Sequence, residues 1–220
     1  DLDPTLTRVT SMLTLRRNDA SNAADTFTLL GDGLTLESLL LNGAALGADQ
    51  CTATANAVTF SASTLCASNA TSTLTVVTTF NPSANLALEG LYVTNGTFCT
   101  QCEAEGFRRI TYFPDRPDVL SEYRVTIRAK IAQFPVLLSN GNLVAERDLD
   151  DGRHEAVWHD PHKKPCYLFA LVAGNIDKLQ DSFVTASGRR VLLEIYSTTE
   201  NLPRCTWAME CLKAAMRWDE

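Results

Sequence analysis

No block of lysines or arginines occurs anywhere in the 220 residues, and the net charge is −7. An acidic chain without a basic stripe repels phosphates, so nucleic acid and anionic membrane surfaces are poor partners. No run approaches 18 consecutive apolar residues, so no membrane-spanning helix is expected. The chain opens at Asp1 rather than Met and carries no signal-peptide pattern. It also lacks internal repeats, low-complexity tracts and flexible linkers. Histidine is scarce: the only three, His154, His159 and His162, all fall within the stretch HEAVWHDPH. Cysteine is not scarce, but the count is odd. Seven cysteines (51, 66, 99, 102, 166, 205 and 211) scattered over a domain of this size do not form a disulfide framework. Reduced thiols in a cytoplasmic protein are the expectation. Two sequons, Asn69-Ala-Thr71 and Asn95-Gly-Thr97, point the other way, but a chain so rich in Thr and Ser generates them by chance.

What is present is ordinary globular material, 45% hydrophobic and 20% charged. A chain this long can bury roughly 70% of its unfolded surface and needs no staples. Residues up to about 175 read as β. Thr73–Phe80 is a β-branched run. Tyr123–Ile131 alternates, with Val125, Ile127, Ala129 and Ile131 on one face and Arg124, Thr126, Arg128 and Lys130 on the other. Turn pairs recur at Asn42-Gly43, Asn140-Gly141 and Asp151-Gly152. Tyr167–Ala173 is an unbroken apolar run, expected to be a strand buried on both faces. Such spacing predicts a sandwich or an open barrel. After Gly174 the pattern changes to a hairpin, Phe183 to Tyr196, and then a helix from Pro203 to Trp218. That helix has a rough apolar stripe of Trp207, Met209, Cys211, Leu212, Ala215 and Met216. A hairpin and one helix make no domain alone, so 176–220 reads as the opening of a second domain and 1–175 as the first.

HEAVWH imitates the zinc-protease spelling H-E-x-x-H. There the histidines sit at i and i+4, about 40° apart on a helix. Here they are five apart, which puts them on opposite sides of a strand. The flanking Asp151-Gly152 and Asp160-Pro161 signal a turn and a strand end, so a strand is predicted and not a metal site. Cys99-x-x-Cys102 lacks both the βαβ setting of a redox pair and a second ligand pair for zinc. Two partly buried thiols three apart are expected.

One stretch is more specific. GLYVTNGTFCTQCEAEGFRRITYFPDRPDVLSEYRVTI (90–127) resembles the start of the zinc-dependent aminopeptidase N family, in particular its bacterial branch. The likeness continues through Pro135–Asn142, Gly152–His154, Lys164–Gly174 and Ala208–Glu220, so it covers about 86–220. It implies a β-rich, saddle-like N-terminal domain followed by the first elements of a thermolysin-like catalytic domain. It implies that zinc, its H-E-x-x-H ligands and a Gly-Ala-Met-Glu-Asn peptide-binding loop lie beyond Glu220, because neither motif occurs here. No catalytic or metal-binding residue is then expected in this chain, and the chain alone is expected to be inactive.

The resemblance also assigns two residues by position: Glu103 to receive the free α-amine of a peptide substrate, and Gln101 to line the pocket for its first side chain. Glu105, Arg108 and Arg109 are expected to stabilise the fold, and the Glu103–Ala104 peptide to be cis. The implied partners are peptide substrates and the catalytic domain in cis. Two readings compete: a stand-alone β-sandwich that binds a peptide or protein without catalysis, and a small zinc hydrolase built on the three histidines.

Overall fold

The computed structural model describes residues 1–16, 26–47, 49–61, 64 and 71–220. Cys66 and Asn69 of the first sequon lie outside the described residues. The chain divides into two compact units, Asp1–Ala173 and Gly174–Glu220.

The larger unit is built from four sheets. In the first, β1 (Thr7–Arg16) lies beside β7 (Thr71–Phe80), followed by β3 (Thr35–Leu41) and the short β4 (Ala44–Ala45). The second contains β2 (Thr26–Leu30), β6 (Ala57–Ser61) and β5 (Cys51–Ala53), in that order. The third runs β11 (Val136–Ser139), β14 (Leu171–Gly174), β9 (Thr97–Gln101) and β8 (Gly90–Thr94). In the fourth, β13 (Arg153–Pro165) is central, between β10 (Leu120–Lys130) and β12 (Asn142–Asp148).

Sequence pattern explains these placements. β7 is the β-branched run, paired on both sides and buried along most of its length. In β10 the predicted inner face is the one that packs: Ile127 and Ala129 are buried and Val125 lies against the core. The turn glycines Gly43, Gly141 and Gly152 all have positive φ.

Two cores result. The main one gathers Phe98, Phe107, Phe113, Ile127, Phe134 and Leu137 among others, and the second gathers Leu29, Val58, Phe60, Leu74, Val76 and Tyr112. Residues 112 and 113 join them. Phe113 exchanges both backbone hydrogen bonds with Leu30, at 2.9 and 3.0 Å, while its neighbour Tyr112 packs into the other core. Adjacent residues of an extended segment point oppositely, so one dipeptide serves both.

Two sequence expectations are corrected. Tyr167–Ala173 is not one strand: a 3-10 turn at Cys166–Leu168 precedes β14, and the Cys166 thiol in that turn donates to the buried Asp115 carboxylate at 2.9 Å. Asp160-Pro161 does not end β13, which continues to Pro165. Tyr123 pairs with Asp160 and Ser121 with Lys164, so Pro161, His162 and Lys163 bulge opposite Glu122. A bulge is a place in a sheet where a proline's missing N–H is tolerated.

In the smaller unit, β15 (Asp177–Val184) and β16 (Arg190–Ser197) form the predicted hairpin, closed by Val184 opposite Arg190. The helix α1 spans Cys205–Asp219. Its seam is narrower than the sequence stripe. Met209 is buried with Phe183 and Leu193, and Met216 packs alongside, whereas Trp207 is 76% exposed. Met209 and Met216 are seven apart, two helical turns, while Trp207 lies roughly 160° away from Met209 around the axis.

Candidate functional site

The β8–β9 hairpin turns at Asn95-Gly96, both with φ > 0 (47° and 75°), as a tight two-residue hairpin turn requires. The second sequon therefore sits on this turn. At the other end of β9 the chain enters the loop Gln101–Gly106. Cys102 is buried in the main core, whereas Glu103, Ala104 and Glu105 are exposed. The loop closes when the Gly106 N–H donates to the Cys102 carbonyl at 2.9 Å. A 3-10 turn, Phe107–Arg109, follows at once and buries Phe107, whose ring packs edge-on against Phe113 and Phe169.

Close backbone approach fixes this loop. A Cβ on Gly106 would lie 2.3 Å from the Gln101 carbonyl oxygen and 2.8 Å from the Gly90 nitrogen. Gly90 has φ +71°, and a Cβ there would lie 2.8 Å from the Gly106 carbonyl oxygen. The two glycines let β8 and the loop pass in contact.

Below the loop lies a buried polar anchor. The Asp115 carboxylate accepts from Arg108 Nε at 2.8 Å, from the Arg108 backbone N–H at 3.1 Å and from the Cys166 thiol at 2.9 Å. Arg108 also faces Glu105 at 3.2 Å, and Arg109 pairs with Asp32 at 2.7 Å and Glu89 at 3.6 Å. Arg108 and Arg109 are thus engaged in ion pairs, as the sequence suggested, and Glu105 reaches Arg108 from a largely exposed position. Asp115 was not anticipated. It lies within Asp115-Arg-Pro-Asp118, a stretch whose charges give no sign of a buried partner. Within it, Arg116 pairs with Asp118.

The two sequence-predicted site residues are brought together. Gln101 Nε2 donates to the Glu103 carbonyl at 3.1 Å, and the Glu103–Ala104 peptide is cis. Among the described residues the Glu103 carboxylate has neither a hydrogen-bond nor an ion-pair partner. The side chain at 103 is therefore an open anion on a loop whose backbone is pinned at both ends.

The cysteine pair nearby is unsuited to thiolate chemistry. Burial raises the Cys99 thiol, and burial followed by the Asp115 charge pushes Cys102 up to about 12. Attack on a disulfide and zinc binding both need the thiolate. The histidines lie on β13, as expected of a strand. His154 Nε2 shares a hydrogen bond with the Phe134 carbonyl at 2.7 Å, and His159 Nε2 one with Glu122 at 2.7 Å. Glu155 between them is held by Arg128 at 2.6 Å and Arg147 at 3.1 Å. These donors are committed elsewhere, and no group of three or more potential metal ligands occurs among the described residues.

A model of the Peptidase M1 N-terminal domain matches residues 45–168. Over all 220 residues the chain is 49% identical to aminopeptidase N of Caulobacter vibrioides, covering 25% of that protein. It is 56% identical over 148 residues to aminopeptidase N of Escherichia coli, which is 67% of this chain and 17% of that one. The solved structure of Legionella pneumophila aminopeptidase A in complex with aspartic acid is similar at a TM-score of 0.90 and 36% identity, covering 97% of this chain and 25% of that one. An M1 zinc metallopeptidase from Deinococcus radiodurans shares the fold at a TM-score of 0.73 and 15% identity, over 89% of this chain and 44% of that one. The chain spans a quarter or less of the two sequence relatives. On the match to more than half its length and this identity over the whole of it, the chain belongs to the Peptidase M1 N-terminal domain family.

Proposed function

We propose that the chain is the N-terminal part of a longer zinc aminopeptidase that releases N-terminal residues from peptides. In this reading Glu103 receives the free α-amine of the substrate. The observation that carries it is the exposed, unpartnered Glu103 carboxylate on a loop whose backbone is fixed by Gln101, Gly106 and the anchor beneath.

A peptide α-ammonium has a pKa near 8 and is charged at neutral pH. A carboxylate held at a set position binds it and gives nothing to an acylated or internal amide, which is the discrimination an aminopeptidase needs. A charge-assisted hydrogen bond of this kind contributes about 1.5–3 kcal/mol. Gln101, tied to the Glu103 carbonyl, lines the space for the first side chain. Zinc and the general base belong to a catalytic domain that residues 176–220 open and whose metal site lies outside these 220 residues. The relatives named aminopeptidase N support this reading.

The test is Glu103→Gln in the full-length enzyme, with kcat/KM measured on a free-amine aminoacyl substrate. A fall of roughly ten- to a hundredfold at unchanged zinc content is expected, from the loss of one such bond. A loss below about threefold would refute the role. The 220-residue chain alone should release no product from the same substrate.

A further inference from the structure

Asparagine followed by glycine is a turn signal, but it is also a place where the main chain can react. A glycine nitrogen has no neighbouring Cβ to keep it from the preceding side-chain amide. The chain has three such pairs, at 42–43, 95–96 and 140–141. The function proposed above uses none of them.

The first two pairs form the same turn. Each is a two-residue hairpin loop, closed by Leu41 opposite Ala44 and by Thr94 opposite Thr97. Their φ angles agree closely, 51° and 85° in one and 47° and 75° in the other. A Cβ on either glycine would meet nothing within 4 Å, so both turns stand in open space. They differ in the asparagine side chain. Asn42 Oδ1 accepts from the Thr73 N–H of β7 at 2.9 Å. Asn95 is exposed, and among the described residues its amide has no hydrogen-bond partner.

The third pair is held hardest. Asn140 Oδ1 accepts from the Ala170 N–H at 2.6 Å, and its Nδ2 donates to the Leu168 carbonyl at 3.1 Å. Gly141 is also closed in, since a Cβ there would lie 2.3 Å from the His159 carbonyl oxygen.

We infer that Asn95 is a site of covalent self-modification, the one Asn-Gly pair of the three whose side chain is free to react with its own backbone. The Gly96 nitrogen attacks the Asn95 side-chain carbonyl carbon. A C–N bond forms, and the side-chain amide leaves as ammonia, carrying the proton that the Gly96 nitrogen gives up. Water then opens the resulting succinimide at one of its two carbonyls. Opening at the side-chain carbonyl gives aspartate; opening at the main-chain carbonyl gives an isoaspartyl linkage. Both products carry a new negative charge. The isoaspartyl form also adds a carbon to the main chain between Thr94 and Thr97. That is the far end of the β8–β9 ribbon, whose other end pairs Gly90 with Gln101.

Peptide mapping by mass spectrometry tests this, on the chain incubated in mildly alkaline buffer, folded and in urea. A side chain must leave its hydrogen bonds before it can cyclise, and each bond slows that by roughly two- to twelvefold. In the folded chain Asn95 should therefore convert first. Asn42 should follow more slowly by about that factor, and Asn140 more slowly again. In urea the bonds are gone, and the three rates should agree within about threefold. Asn42 or Asn140 converting as fast as Asn95 in the folded chain would overturn the inference. So would the same spread of rates in urea, which would assign it to the flanking residues. Asn95 staying intact in the folded chain while urea converts it would overturn it too, because the turn itself would then be protective.

Discussion

Asp115→Ala removes the anchor under the candidate loop. The substitution deletes the acceptor of three hydrogen bonds, from Arg108 Nε, the Arg108 backbone N–H and the Cys166 thiol. Asp115 is 6% exposed, and the Arg108 side chain 19%. Removing one partner of a buried pair costs about 3–5 kcal/mol, because the other charge stays desolvated. Two features keep the cost at the low end: Arg108 retains Glu105 at 3.2 Å and the Asp115 main-chain carbonyl at 3.2 Å. About 3 kcal/mol is expected, which for a unit of this size lowers Tm by roughly 6–12 °C.

Glu105→Ala is the control. Its carboxylate is largely exposed, so its loss should cost under about 1 kcal/mol. Urea denaturation with amide exchange read at Ile127 and Ala129, deep in the same unit, separates this unit's unfolding from that of the hairpin and helix. The reasoning fails if Asp115→Ala stays within about 1 kcal/mol of the parent, or if Glu105→Ala costs as much.

Gly106→Ala should displace the loop rather than merely destabilise it, since the clash is with two backbone atoms at 2.3 and 2.8 Å. Chemical-shift changes at Gln101 and Glu103 and a loss of several degrees in Tm would report it. Arg128 and then Arg147 hold the Glu155 carboxyl below its ordinary value of 4.5. A depressed carboxylate pKa stabilises the fold above the unfolded value and loses that contribution as pH falls through the folded one. Tm should therefore decline below about pH 4.5, and less steeply in Glu155→Gln when followed calorimetrically. Met209→Ala removes one of three buried side chains in the small unit and should cost about 2–3 kcal/mol, seen as faster amide exchange along α1 with Ile127 unaffected.

The fold was legible where period and turn chemistry agreed. β10 follows from alternation, the β15–β16 hairpin from its Ser187-Gly188 turn, and the strand character of HEAVWH from its histidine spacing and the Asp151-Gly152 turn. Legibility failed where local shape depends on what lies opposite. Nothing in Tyr167–Ala173 announces that Cys166 will donate to a carboxylate 51 residues away and turn the chain. Nothing in Asp160-Pro161 announces a bulge, which depends on how β10 is registered. Gln101 and Glu103 were singled out by family resemblance, and composition alone would have left Glu103 a surface carboxylate. Asp115 stayed hidden because its partners, Arg108 and Cys166, lie 7 and 51 residues away in the chain.

The mutual dependence of Gly90 and Gly106 has a consequence for recognition. Where two main chains touch with no side chain between them, neither moves independently, so the tip bearing residue 103 shares the stiffness of the β8–β9 ribbon. In the role proposed for Glu103, a receptor so mounted would select by being already in place rather than by closing around its guest. Little conformational freedom is then left to lose on encounter, and more of the attraction to a cation appears as affinity.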